Sequence, residues 1–421
     1  MAVRWNNSVM NFLNEVAEDY PAAISLAAGR PGNTLFDEID AESLSRWLAT
    51  FCGAAPLSSL LQYGRTAGLI HELIACQIAN DDGVPARADR IVVTAGCQEA
   101  LALCLPELCP EASDVLLVRN PCYIGITGAA AGASVALQPL DGNITGLDAQ
   151  IESAIAQLAA SERRARAIYL VPDFDNPTGE VISLEQRHAI LAVCARHHIV
   201  VLEDNPYGMF RYEGTPIPPM AALDDTGCVI YFSTYSKTIA PTVRVGAATL
   251  PEHLFGDRGA SVALYKAIVE RKSFITVNTS QLCQAMVGGL LIERHSSLRS
   301  WLNPTLEIYR RNRNVMLMQL AESFPVGGMP VHWNQPEGGF FLCVDVPMRF
   351  DGDAVTECAT RDGVIVLPMS FFAFDASQDH RIRLAFSAVE PDRIRAGVHG
   401  LSRFVARHVG ANARRERSLA F

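Results

Sequence analysis

Charge is scarce in this chain. Only 19% of its 421 residues are Asp, Glu, Lys or Arg, and the basic ones are the minority, leaving a net charge of −10. No basic stripe offsets that balance, which excludes non-specific nucleic-acid binding. The one basic cluster, Arg414, Arg415 and Arg417, reads as a frayed, solvated tail. None of the eleven cysteines forms a Cys-x-x-Cys pair, so neither a zinc site nor a disulfide framework is indicated. Cys194, Cys228 and Cys343 lie in apolar runs, where a free thiol behaves as a small hydrophobe in a reducing compartment. The opening twenty residues lack a signal-peptide pattern, since they carry Arg4, Glu15, Glu18 and Asp19. The longest uncharged stretch, Asn120 to Leu140, contains prolines and several glycines and is a poor membrane span. A cytoplasmic protein that does not cross a membrane is expected. There is no internal repeat and no low-complexity linker.

What the sequence does hold is apolar mass. Hydrophobic residues make up 49%, and 421 residues exceed a single ordinary core, so two lobes are expected. The informative stretch is 231–246. An apolar run from Cys228 to Phe232 reads as a buried strand and breaks into Ser-Thr-Tyr-Ser-Lys-Thr-Ile-Ala-Pro-Thr-Val-Arg-Val-Gly. Lys237 sits just past the strand end. Thr234, Ser236 and Arg244 can converge on a phosphate as hydroxyl donors and a planar guanidinium fork, and Gly246 permits a tight backbone turn beside a ligand. One lysine in a phosphate cradle suits an aldehyde cofactor held covalently through its amine.

The pattern recurs along the chain. Arg90-Ile-Val-Val-Thr-Ala-Gly-Cys-Gln-Glu reads as strand, glycine turn and helix from Gln98. Gly96, Cys97 and Gln98 would therefore present helix N-terminal amides to a phosphate. The strand beginning at Asp114 ends in Asn-Pro-Cys-Tyr, and Tyr123 there can stack on a flat ring. Ala167-Ile-Tyr-Leu-Val-Pro leads to Asp-Asn-Pro-Thr-Gly179, and a helix is expected from Leu184. Ile199-Val-Val-Leu ends in Glu-Asp-Asn-Pro-Tyr207, where Asp204 can pair with a protonated pyridine nitrogen. Gly96, Tyr123, Asn176, Asp204 and Lys237 each follow a strand, and helical patterns alternate with those strands. That predicts an α/β fold with a mainly parallel sheet covered by helices and a ligand crevice at the strand carboxyl ends.

Thr234 to Gly246 reproduces the lysine motif (Ser/Thr)-x-Ser-Lys-x-x-x-Pro-x-x-Arg-x-Gly. On this and the motifs above, residues 20 to 405 resemble the fold-type I pyridoxal-phosphate aminotransferases, in the subgroup of 2-aminoadipate and kynurenine aminotransferases. The resemblance implies pyridoxal 5'-phosphate as cofactor and a seven-stranded, mainly parallel sheet in a large domain over 56–300. The smaller α+β domain would be formed by 1–55 and 301–421. It further implies that Asn176 and Tyr207 donate to the cofactor's phenolic oxygen. Arg383, within Ile-Arg-Leu-Ala-Phe-Ser387, would grip the substrate α-carboxylate. Arg381, outside that motif, would be a solvated charge.

Tyr63, in Gln-Tyr-Gly-Arg-Thr-Ala-Gly68, would reach the cofactor phosphate of a second subunit, giving a homodimer with shared sites. Here the chain departs from the family's Tyr-Gly-Pro-Thr-Glu-Gly, with Arg65 for proline and Ala67 for glutamate. Cys97 likewise stands where the family often has a hydroxyl. Arg30, in the turn after the first strand, and Arg65 flank the substrate mouth in the family and would favour a second anionic group on the amino acid. Transfer of the amino group of an α-amino acid to a 2-oxo acid is the expected reaction, with Lys237 as catalytic base and acid. The same constellation serves β- or γ-replacement, C–C bond formation, decarboxylation and oxidation. A regulator domain would need a DNA-binding module, for which the residues before Ile24 are too few. An amphipathic opening helix is predicted over 5–19.

Overall fold

The strands that carry the site are built from β-branched and apolar runs buried over most of their length. The computed structural model describes residues 18–37 and 39–419. The predicted opening helix lies, but for its last residues, outside them. After the short β1 (Ile24–Ser25) come β2 (Ile91–Thr94), β3 (Asp114–Arg119), β4 (Ala136–Leu140), β5 (Arg164–Leu170), β6 (Val200–Asp204), β7 (Val229–Thr234) and β8 (Gly246–Thr249). These last seven form one sheet in the order β2-β8-β7-β6-β5-β3-β4. All neighbours are parallel except β8, which runs against both β2 and β7. Helices cover both faces, so each strand feeds one core with its odd residues and another with its even ones. Leu116 and Val118 of β3 join one cluster and Val115 and Leu117 the other.

Two of these strands have no apolar signature. β4 carries Pro139, which is tolerated because β4 is the sheet's edge. β8 is Gly-Ala-Ala-Thr, small because it is squeezed between neighbours. A Cβ on Gly246 would meet Ser233 O at 2.8 Å and the Gly96 Cα at 3.0 Å. Gly246 therefore lets two loops touch; its expected role of turning the backbone beside a ligand is not what the structure gives it.

The second lobe has its own sheet. β9 (His332–Trp333), β10 (Phe341–Asp345), β12 (Leu367–Pro368) and β13 (Arg381–Ala385) are antiparallel in the order β12-β13-β10-β9, while β11 (Val364–Ile365) pairs with β1. The segment 363–368 thus divides between two sheets. The helix Pro391–Leu419 stays helical through the tail expected to fray. Arg381 is not a free solvated charge, because it pairs with Asp345 Oδ1 at 2.6 Å on the facing strand β10.

The N-terminal segment does not belong to the small lobe as a unit. Ala23, Leu26 and Ala27 join that lobe's core, but Trp47 of the helix Ala41–Cys52 is 2% exposed within the large one, edge-on to Trp301 at 6.0 Å. The buried indole, not the chain order, fixes where residues 41–52 pack. Between the lobes sits an aromatic cluster centred on Phe340, which meets Tyr207, Phe210 and Tyr309 at 4.9 to 5.3 Å between ring centroids.

Candidate active site

The carboxyl ends of β2, β3, β5, β6 and β7 open into one cavity of about 450 Å³, closed on its far side by the Ala27–Arg30 turn and by β13. Lys237 enters it from the turn after β7, and its Nζ donates to Gly29 O at 3.2 Å. Burial, helped by the nearby Arg383 charge, pulls the lysine amine down to about 8. A neutral amine is the nucleophilic form, so the cavity holds this lysine ready to react.

Asp204, the last residue of β6, is 4% exposed on the cavity floor. Its Oδ2 accepts from the Tyr169 hydroxyl at 2.7 Å, whereas its Oδ1 is buried and accepts no hydrogen bond among the described residues. Burial pushes the carboxyl's pKa up, and the Tyr169 hydrogen bond opposes that shift. Tyr123 caps the helix Ile124–Gly132 and lines the cavity. The Gln98 amide donates to Gly125 O at 2.8 Å, tying the start of that helix to the β2 loop. The Cys97 thiol lies beside Asp204 and points to Ser233 O at 3.5 Å.

The cradle side is assembled across three loops. Gly96, at φ +80°, caps the helix Cys97–Leu108, whose first amides lack helical partners. Arg244 adopts a left-handed φ of +48°, which costs a non-glycine residue about 1 kcal/mol. That backbone turns its guanidinium back onto the glycine loop: Nη2 donates to Ala95 O at 2.7 Å and Nη1 to Ser236 Oγ at 3.2 Å. A Cβ on Gly96 would sit 2.6 Å from Arg244 Nη2. Thr234 Oγ1 accepts from the Ser236 amide at 3.2 Å, fixing the remaining hydroxyls at the same wall.

Across the cavity Arg383 is 4% exposed. Nη1 donates to Asn176 Oδ1 at 2.5 Å and Nη2 to Ala27 O at 2.8 Å, while Nε is buried without a partner among the described residues. Phe341 and Phe372 flank the guanidinium, with ring centroids 4.1 and 5.0 Å away. Burial draws Arg383 down to about 10, so it stays charged at neutral pH. Because Asn176 accepts from Arg383 through its oxygen, its amide nitrogen is left to donate elsewhere. Arg119 and Thr178 hold the Asn176 loop through the buried Asp175, at 3.2 and 2.9 Å. Tyr207, 3% exposed, lines the same wall.

Two expected residues are not brought in. Tyr63 is 81% exposed and does not line the cavity of its own chain. Arg65 is also exposed and outside the cavity, near His71 and Tyr265 instead. Arg30 lines the mouth. Sequence reasoning missed Tyr169 and Arg119, polar residues inside apolar strands. Among the described residues no cluster of His, Cys, Asp and Glu could hold a metal ion.

An unpartnered buried carboxylate opposite a lysine, with a hydroxyl and guanidinium cradle at one end, fits a phosphorylated pyridine aldehyde. The sequence profile of aminotransferase class I and II matches residues 39–401. The chain belongs to that family. Its relatives include the (S)-3,5-dihydroxyphenylglycine transaminase of Amycolatopsis orientalis, 36% identical over 412 residues and covering 94% of this chain and 91% of that one. Aromatic-amino-acid aminotransferase 1 of Thermococcus litoralis is 29% identical over 90% of this chain and 87% of its own. Among solved structures, the multiple substrate aminotransferase of Thermococcus profundus superposes with a TM-score of 0.84 at 26% identity, over 97% of both chains. The fold is thus fold-type I, the cofactor of this aminotransferase is pyridoxal phosphate, and the reaction is amino-group transfer.

Proposed function

We propose that this aminotransferase takes its amino group from an aromatic or bulky apolar α-amino acid. The observation that carries this reading is the cavity wall beside Arg383. Phe372 and Ile124 line it, and the opposite turn offers the small Ala27, Ala28 and Gly29 before Arg30 at the mouth. A flat side chain fits between such surfaces without stranding a polar group. Two relatives that act on aromatic amino acids support it. Of the two arginines expected to favour a second anionic group, only Arg30 lines the mouth, so the acidic alternative rests on one exposed side chain.

Bound pyridoxal phosphate supplies an aldehyde and an electron-accepting ring. The residues do the rest. Arg244, Ser236, Thr234 and the amides of Cys97 and Gln98 would hold the phosphate, and Tyr123 would pack on the ring. Asp204 would pair with the ring nitrogen, while Asn176 and Tyr207 would donate to the phenolic oxygen. Arg383 grips the α-carboxylate, and Lys237 Nζ takes the α-proton and returns it.

The working unit is a cytoplasmic homodimer. Leu61, Tyr63, Phe274 and Ile275 are 57 to 83% exposed. The first pair is tied to the chain just after the second, since the Gln281 amide donates to Leu60 O and Gln62 O. A second copy covering this band would bring its Tyr63 toward the neighbouring cradle. Among the described residues no helix is long and apolar enough to cross a membrane.

The test is a panel of amino donors with a 2-oxo acid acceptor, scored for keto acid, ammonia and carbon dioxide. Keto acid from aromatic donors is expected; preference for acidic donors, or release of ammonia or carbon dioxide, sinks the reading. Hybrid dimers of inactive Lys237→Ala and Tyr63→Ala chains should regain activity. A fully active monomer in light scattering rules out the shared site.

A further inference from the structure

We propose that Tyr169 is a positioning residue that holds Asp204 by one oxygen so that the other is free for the ring nitrogen of the cofactor. The inference rests on the assignment of Asp204 above and extends it to a residue that need not touch the cofactor ring. Tyr169 lies at the penultimate position of β5 and Asp204 at the end of β6, adjacent parallel strands in which Tyr169 pairs with Leu202. Asp204 therefore projects beyond its partner strand, and the tyrosine hydroxyl reaches it from the side at 2.7 Å. The ring of Tyr169 is 3% exposed and fixed in the core cluster formed by Leu202 and Ile230.

The division of the carboxylate is the telling feature. One buried oxygen is fully engaged and the other, equally buried, has no partner among the described residues. A carboxylate free to rotate would share the hydroxyl between both oxygens. Held at one end, it presents a single acceptor in a fixed direction, which a protonated ring nitrogen needs for a short charge-assisted hydrogen bond. Tyr169 also lines the cavity, so a water entering from that side meets a hydroxyl already committed.

Four other groups face Asp204. Lys237 favours its charge, the Cys97 thiol sits beside it, and Tyr123 and Tyr207 feel it across the cavity. Of the hydroxyls, Tyr169 donates to it at 2.7 Å, and this bond, with a weaker one from the Cys97 thiol, favours the charged form against burial. Removing the hydroxyl should raise the pH at which the carboxylate protonates.

The experiment measures binding of pyridoxal phosphate and of its 1-deaza analogue, which lacks the ring nitrogen, to cofactor-free wild type and Tyr169→Phe. Circular dichroism and thermal melting establish that the variant folds. The expected result is a loss of about tenfold or more in affinity for pyridoxal phosphate and little loss for the analogue. On the acid side, the variant's affinity should also fall at a higher pH than that of wild type. Equal losses for both ligands would mean a merely structural role and overturn the proposal, as would no loss for either. If Tyr169→Phe does not fold, Asp204→Asn is used with the two ligands in the wild-type background. Discrimination between them should then collapse, and retained discrimination overturns the proposal. Wild type that binds neither ligand would sink the cofactor assignment itself, a separate failure.

Discussion

The floor of the cavity and its mouth are built by different rules. At the floor, Asp204, Asn176 and Arg383 are each tied to a neighbour within 2.5 to 2.8 Å. At the mouth, Arg30 is an exposed side chain on a turn outside the sheet. Asp204 ends β6, Arg383 lies within β13, and Asn176 sits in a turn tied down through Asp175, so moving one disturbs its neighbours. Arg30 rides on a loop, where substitution costs little stability. The reacting groups are therefore held by the buried region, and the exposed one can change at little cost.

The sharpest way to break the floor is Lys237→Ala. Turnover should fall by at least about a thousandfold, since nucleophile and proton carrier go together. Borohydride reduction of wild-type holoenzyme should fix the pyridoxyl group on the peptide containing Lys237, and the variant should take up none there. Next is Phe340→Ala, which empties the aromatic seam between the lobes. The cost should be about 3–5 kcal/mol in denaturant unfolding, because the ring is wholly buried among Tyr207, Phe210 and Tyr309. A change under about 1 kcal/mol would mean that the seam is loosely packed.

A pH series sharpens the comparison without mutation. Since Lys237 titrates at about 8, below its ordinary value of 10.5, the amine turns neutral as pH rises through 8. Cofactor-free protein should capture pyridoxal phosphate faster with rising pH and level off above that point in stopped-flow absorbance. A rate already level at pH 7 would show a still lower amine. The smallest effect belongs to the mouth. Arg30→Ala should shift the kcat/KM ratio of acidic to aromatic donors by a few-fold at most, as expected of a solvent-screened charge. Arg65→Ala should leave the ratio unchanged if the partner's mouth does not use it either.

The floor was legible in the sequence because each of its chemical groups follows an apolar run. Asp204 ends β6 after the run Val200–Leu202, Lys237 comes three residues after β7, and Asn176 lies in the turn soon after β5. The groups that hold them were not legible. Tyr169 and Asp204 are 35 residues apart and Arg119 and Asp175 are 56 apart. They meet only because the sheet order places β5 between β3 and β6. β8 escaped because crowding by Gly96 and Ser233 admits only small residues, erasing the apolar signal that marks its neighbours. Residues 41–52 were misplaced for a related reason: a helix that follows the small lobe's first strand in sequence buries Trp47 in the other lobe. Arg65 was placed at the mouth from its position in a motif, but nothing in that motif fixed where its side chain points.

The bond from Arg383 Nη2 to Ala27 O joins residues 356 apart in the chain. A contact closing so large a loop forms late in folding, after the nearer strand pairs of the large sheet have offset their own entropy. The proposed cofactor cradle, whose residues from this lobe lie between 96 and 244, is therefore expected to mature before the proposed carboxylate clamp. Pulse-labelled hydrogen exchange should find the Val93 and Leu202 amides protected earlier than that of Ala385, which donates to Leu26 O beside the clamp. A freshly made chain can hold its coenzyme before it is able to recognise an amino acid.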